Sequence, residues 1–259
     1  MSTAITTRPV ARPTTYPPTG LGRLTRIELR KAVDTRAGRW LLIAVAAIAI
    51  IMTGVAILAG GAKDHTFHRS AGLIQSVISV LLPVIGILLV TSEWSQRTAL
   101  QTFALVPRRG RIISAKLLAG TGISIVVAVV ALGLGAVATA IASHPAGGAW
   151  HNAGEVALGG ILVQLLSLLM GMAFGLALLS SAPAIVLSFV LPTVWAALAS
   201  SIHALHGVQP WLDSTKTSTY LLDGDLSARH WAQIGVTTLI WIAVPLAAGL
   251  ARLRRHEIA

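Results

Sequence analysis

The side chains of this sequence that could do chemistry are its histidines, its four lysines and a basic run between Ser92 and Leu118. Two histidine pairs, His65 with His68 and His203 with His206, have the i,i+3 spacing that suits a metal ion on a helix. Cysteine is absent, and no carboxylate at diagnostic spacing completes either pair, so the pattern defines no metal centre. A phosphate-cradling loop needs a glycine immediately before its lysine, because the backbone N–H groups must approach the phosphate closely. Lys31, Lys63, Lys116 and Lys216 follow Arg, Ala, Ala and Thr, which excludes ATP hydrolysis by that route. Neither HExxH nor GxSxG occurs. The sequence reads as that of a non-enzyme with no cofactor of its own.

The elements that carry these residues are apolar. Of 259 residues, 54% are hydrophobic and only 11% charged, too few charges to coat a water-soluble globule of this size. Charge-free intervals cover 40–62, 70–92, 117–154, 156–212 and 230–251. Each of four can cross a bilayer once, and 156–212 is long enough for two crossings separated at Ser180-Ser181-Ala182-Pro183. The expected fold is therefore all-α and polytopic, a single domain over 21–259. Its six transmembrane helices are expected at about 40–60, 72–91, 117–142, 156–179, 184–204 and 232–251.

Orientation follows from the basic residues. Sixteen of the twenty fall in the N-terminal segment, the loop after the second span and the C-terminus, so the positive-inside rule puts both ends in the cytosol. The net charge of +11 is thereby assigned to topology and anionic lipid rather than to nucleic acid. Residues 1–20, with four prolines, read as a disordered cytosolic tail. From Leu21 to Arg39, Arg23, Arg26, Arg30 and Asp34 form a polar stripe opposite Leu21, Leu24, Leu29 and Ala32, the pattern of an interfacial amphipathic helix on the inner leaflet. Glu28 interrupts its apolar face. Trp40, Trp94, Trp150 and Trp231 fall at span ends, where an indole favours the interface; Trp195 and Trp241 are mid-span packing residues. Part of the outer segment 206–229 is expected to dip back onto the bundle.

Within the spans, Gln75, Ser76 and Ser79 in the second and Gln164 and Ser167 in the fourth either line a polar pathway or satisfy each other across helices. Gly171 and Gly175, one turn beyond Ser167, make a small-residue face for close helix packing. Ionisable residues are otherwise nearly missing from the spans, which disfavours an ion-coupled carrier. The loop SEWSQRTALQTFALVPRRGRIISAKLL predicts a short helix leaving the second span, halted near Pro107, then a basic turn and the third span. Glu93 and Arg97 are four apart, a helical ion pair of about 0.3–0.5 kcal/mol.

In its amphipathic ELRKAVDTRAGRW segment, its six spans with both ends inside, and a loop running Glu, Arg, Thr, Leu, then Pro-Arg-Arg and Ala-Lys-Leu, the chain resembles the permease subunits of type-two ATP-binding-cassette exporters. The resemblance covers nearly everything from Leu21. It implies that the loop carries a coupling helix seated in a separate cytosolic ATPase, with Glu93, Arg97, Thr98, Leu100, Phe103, Pro107, Arg108 and Arg109 as coupling residues. It further implies that ATP and Mg are bound by that partner, that two permease copies pair as a homodimer or heterodimer, and that the location is a bacterial cytoplasmic membrane. The apolar interior points to an amphipathic, drug-like or lipid-like cargo moving outward. An ATP-independent secondary transporter and a non-transporting anchor or immunity subunit are the alternatives.

Overall fold

The computed structural model describes residues 20–59, 66–95, 109–142, 148–224 and 226–255. These residues are helical throughout, with short turns and no strand among them. Helix α1 (Leu21–Asp34) is followed by α2 (Arg36–Leu58), α3 (Phe67–Ser95), α4 (Arg109–Ala142), α5 (Ala153–Leu178) and α6 (Ser181–Ser201). After a 3₁₀ turn come α7 (Gln209–Leu212), α8 (Ser214–Asp223), α9 (Ala228–Thr238) and α10 (Val244–Arg255). A π turn at Leu239–Ala243 joins α9 to α10 into one long element. Six of these elements are long and apolar enough to cross a membrane, close to the six spans expected from the charge-free intervals and the breaker at Ser180-Ser181-Ala182-Pro183. The chain has the make-up of a multi-pass membrane protein.

The boundaries differ from expectation where local chemistry intervenes. The amphipathic segment does not run unbroken to Arg39: Thr35 is extended, ends α1, and accepts the Gly38 N–H on Oγ1 at 3.2 Å as the N-cap of α2. Gly38 permits that corner, because a Cβ there would collide with the Ala32 carbonyl oxygen. Helix α3 begins early, at Phe67, whose ring stacks on Trp150 at 5.4 Å and whose N–H bonds the Ala149 carbonyl. Helix α4 begins at Arg109, eight residues before the apolar interval, because Ile112, Ile113 and Ala115 are already buried. Between α5 and α6 only Leu179 and Ser180 intervene, with Leu179 left-handed at φ 53° and its N–H on the Gly175 carbonyl.

Helices α3 and α5 form the centre. In a bilayer the tails are as apolar as leucine, so close backbone approach and hydrogen bonds must hold helices together. Gly86 and Gly171 supply that approach: a Cβ on Gly171 would strike the Pro83 carbonyl, and one on Gly86 the Leu168 carbonyl. The small-residue face is therefore used within the subunit. Around this pair pack Ile74, Ile78, Leu82, Leu168, Met172 and Leu176, all essentially inaccessible. Helices α2, α6 and α9–α10 lie outside, with Ile50, Ile51, Val190, Val194 and Leu239 exposed.

Two ends of the bundle are distinct. At one, called here the α1 end, meet α1, the end of α3, the start of α4, and the ends of α5 and α10, where an Arg252 Nη donates to the Ala177 carbonyl. At the other lie the 148–152 turn, α7 and α8.

Candidate functional site

Helix α1 has two unlike faces. Arg23, Arg26 and Arg30 are exposed as the sequence predicts, on the face away from the bundle. Glu28, expected to blemish the apolar side, is instead buried, and it is there because α1 leans on α4 and needs a counter-ion rather than a lipid contact. Leu29 and Ala32 pack beside it against the central core.

Four charges converge at this point. Lys116 Nζ lies 2.6 Å from Glu28 Oε2 and 3.3 Å from Glu93 Oε1, and donates to the Leu89 carbonyl at 3.1 Å. Lys31 Nζ bridges the same two acids from the rim, 2.8 Å from Glu28 Oε1 and 3.0 Å from Glu93 Oε1. The lysine of α4 is only 3% exposed in its side chain, whereas that of α1 is 43% exposed. Burial works against the charge on Glu28, yet the ammoniums of Lys116 and Lys31 outweigh it and hold the carboxyl below its ordinary value. Burial likewise opposes the charge on Lys31, and Glu28 and then Glu93 overcome it, raising the amine above the usual lysine value. The set is neutral overall, two acids against two bases. Glu93 Oε2 has no hydrogen-bond partner among the described residues, and a void of about 10 Å³, the size of one water, adjoins it and Lys116.

This cluster occupies both ends of the loop read as a coupling segment. Glu93 closes α3 and Lys116 lies in the second turn of α4, so the cluster ties the two stems of that loop to each other and to α1. Of the coupling residues named from the resemblance, Glu93 is buried at 4% exposure, and its Oε1 faces inward to the two lysines. It is a seat of the loop rather than an exposed contact. Arg97, Thr98, Leu100, Phe103, Pro107 and Arg108 lie outside the described residues; the backbone of Arg109 opens α4. Lys116 was not singled out from sequence for this role. The available signal was Glu28 itself, an acid on an apolar helix face, which requires a basic partner from elsewhere in the fold.

The five polar span residues separate into two groups. Gln75 and Gln164 are inaccessible and bond each other: Gln164 Nε2 donates to the Gln75 side-chain and main-chain oxygens, the latter at 2.9 Å, while Gln75 Nε2 donates to the Ala128 carbonyl at 3.3 Å. They join α3, α4 and α5. Ser76, Ser79 and Ser167 instead face a half-open groove of about 390 Å³ between α3, α5, α6, α8, the end of α9 and the π turn.

The segment 206–229 does fold back. Asp213 caps α8 by accepting the N–H groups of Thr215 and Lys216, and Leu221 is buried against α5, where Gly159 leaves room for its carbonyl. Trp241, placed by the π turn, donates its indole N–H to the Leu212 carbonyl at 2.7 Å, so it anchors the segment as well as packing. Trp195 Nε1 is buried with no hydrogen-bond partner among the described residues. His203 and His206 meet edge to face at 4.9 Å, and no group of three or more His, Asp or Glu among the described residues could hold a metal ion. In comparisons with known proteins, neither a family model nor a curated protein matches the chain.

Proposed function

We propose that the chain is the membrane permease subunit of an ATP-binding-cassette exporter, driven by a separate cytosolic ATPase through the loop between α3 and α4. The observation that carries this reading is the buried cluster of Glu28, Lys31, Glu93 and Lys116 at the stems of that loop. A loop that receives force is useful only if its stems are stiffly joined to the helices that must move. Here both stems share counter-ions with α1, so a pull on the loop displaces α1, α3 and α4 together. The exposed arginines of α1 suit the anionic inner leaflet, and both termini lie in the cytosol of a bacterial plasma membrane. A second permease copy completes the pathway, and the cargo is amphipathic.

The test uses the lack of native cysteine. An impermeant maleimide labels Ala146→Cys in intact cells, and labels Ser95→Cys only after permeabilisation. A P-loop ATPase co-purifies with the full chain in mild detergent, and Phe103→Ala abolishes ATP-driven export while insertion is preserved. External labelling of Ser95→Cys, or transport by this chain alone on an ion gradient, refutes the proposal.

A further inference from the structure

The groove bounded by α3, α5, α6, α8, the end of α9 and the π turn is half open and holds about 390 Å³, within the range of about 300–1,000 Å³ that holds small ligands. Among the described residues, no charged side chain and no histidine lines it. Twelve of its twenty-two lining residues are serine or threonine, so its polarity comes from hydroxyls alone.

The direction of those hydroxyls decides what the cavity accepts. A hydroxyl has one proton and two lone pairs. Ser79 gives its proton to the Ser76 carbonyl at 2.7 Å, Ser188 to the Ile185 carbonyl at 2.9 Å and Ser218 to the Ser214 carbonyl at 2.8 Å. Thr219 donates to the Thr215 carbonyl at 3.0 Å, and Thr237 to the Trp211 carbonyl at 3.0 Å. Trp241 on the same wall has given its N–H to Leu212. With their protons committed to backbone, these groups present oxygen lone pairs to the interior. Ser76 and Thr217 commit theirs likewise, whereas Ser167, Thr193, Ser214, Thr215 and Thr238 make no such bond among the described residues, so the wall accepts hydrogen bonds at seven hydroxyls and can also donate from five. Between the hydroxyls, Pro83, Phe189, Leu222 and Ile242 give apolar surface for a hydrocarbon body.

We infer that this cavity binds an uncharged amphiphile carrying several hydroxyl or amide donors, of the alkyl glycoside type. Charged amphiphiles find no counter-ion there, and molecules bearing only acceptors leave the seven committed hydroxyls unmatched. The inference names the cargo class for the permease proposed above and rests on that reading for its biological sense, though binding itself requires no ATPase.

The experiment is carried out on the purified full chain in lipid nanodiscs, with Ser167→Cys as its only thiol and N-ethylmaleimide as the reagent. Octyl glucoside below its micellar concentration slows modification. Its permethylated ether, which keeps the oxygens but exchanges all four donor protons for methyl groups, loses several hydrogen bonds and binds about tenfold or more weaker. Octyltrimethylammonium gives no protection, and Ser227→Cys, outside the cavity, reacts at one rate throughout. If Ser167→Cys is unreactive, Thr193→Cys, exposed on the cavity rim, supplies the same reading. Equal protection by the glucoside and its permethylated ether, protection by the cation, slowing at Ser227→Cys, or no protection by the glucoside overturns the inference. Because no partner is present, such a failure leaves the coupling proposal standing, and loss of ATPase binding leaves the ligand site standing.

Discussion

Replacing Lys116 with methionine tests the architecture of the α1 end most directly. The substitution keeps the length and apolar stem of the side chain and deletes an ammonium that is 3% exposed and contacts Glu28 at 2.6 Å and Glu93 at 3.3 Å. Two buried carboxylates then share only Lys31, which is 43% exposed, and the neutral cluster becomes singly negative. Removing one member of a buried pair costs about 3–5 kcal/mol, because the remaining charge is left unpaired away from water. Lys31→Met removes a cation that water partly screens and costs about 1 kcal/mol or less. In the double variant Glu28→Gln with Lys116→Met, Lys31 and Glu93 still pair, so most of the loss is recovered, to within about 1–2 kcal/mol of wild type. Reversible unfolding in mixed micelles, followed by far-ultraviolet circular dichroism, measures all three. Equal losses for the two lysine variants, or a double variant as damaged as the sum of its parts, would refute the argument.

Other outcomes follow from the same geometry. Gly171→Val drives a side chain into the Pro83 carbonyl and unfolds the centre, whereas Gly175→Ala meets the Ile87 backbone tightly at 3.3 Å, needs a shift of only a few tenths of an ångström and costs far less; thermal stability in detergent distinguishes them. The cluster sets a pH window for α1. Glu28 is depressed, so its contribution is full above the ordinary carboxyl value and is lost as pH falls through the lower folded value. Lys31 is raised, so its contribution is full below the ordinary amine value and is lost as pH climbs through the higher folded one. Mobility of a spin label on Arg26→Cys therefore stays low between those limits and rises beyond each. Trp241→Phe removes the bond to the Leu212 carbonyl, costs about 1 kcal/mol, and speeds limited proteolysis in segment 206–229.

The spans were legible because exclusion of charge from hydrocarbon is a large and local effect, readable residue by residue at 40–62 or 230–251. The Ser-Ser-Ala-Pro breaker was legible for a similar reason, since proline and small polar residues act on their own neighbours. The corner at Thr35 was not, because its signal is one side-chain hydrogen bond inside a continuous helical pattern. Nor was the partner of Glu28: Lys116 is 88 residues away, and only packing of α1 against α4 brings them together. Periodicity marked Ser79 and Ser167 as polar but could not separate them from Gln75 and Gln164, whose fate depends on helix rotation. The coupling residues from Arg97 to Arg108 lie outside the described residues, so that part of the sequence reading stands as proposal.

The glycine contacts between α3 and α5 limit how the bundle can deform. Where two backbones touch with no side-chain layer between them, nothing can compress, slide or change rotamer, so the pair behaves as one stave. In its most apolar stretches 56% of α3 and 50% of α5 is buried, against 22% for α2 and α6 and 17% for the α9–α10 element. The amide protons of that central stave should thus be the last to exchange with deuterium. Any rearrangement of the bundle, including one driven by a pull on the loop after α3, must carry α3 and α5 together as one body, with the outer helices shifting against it.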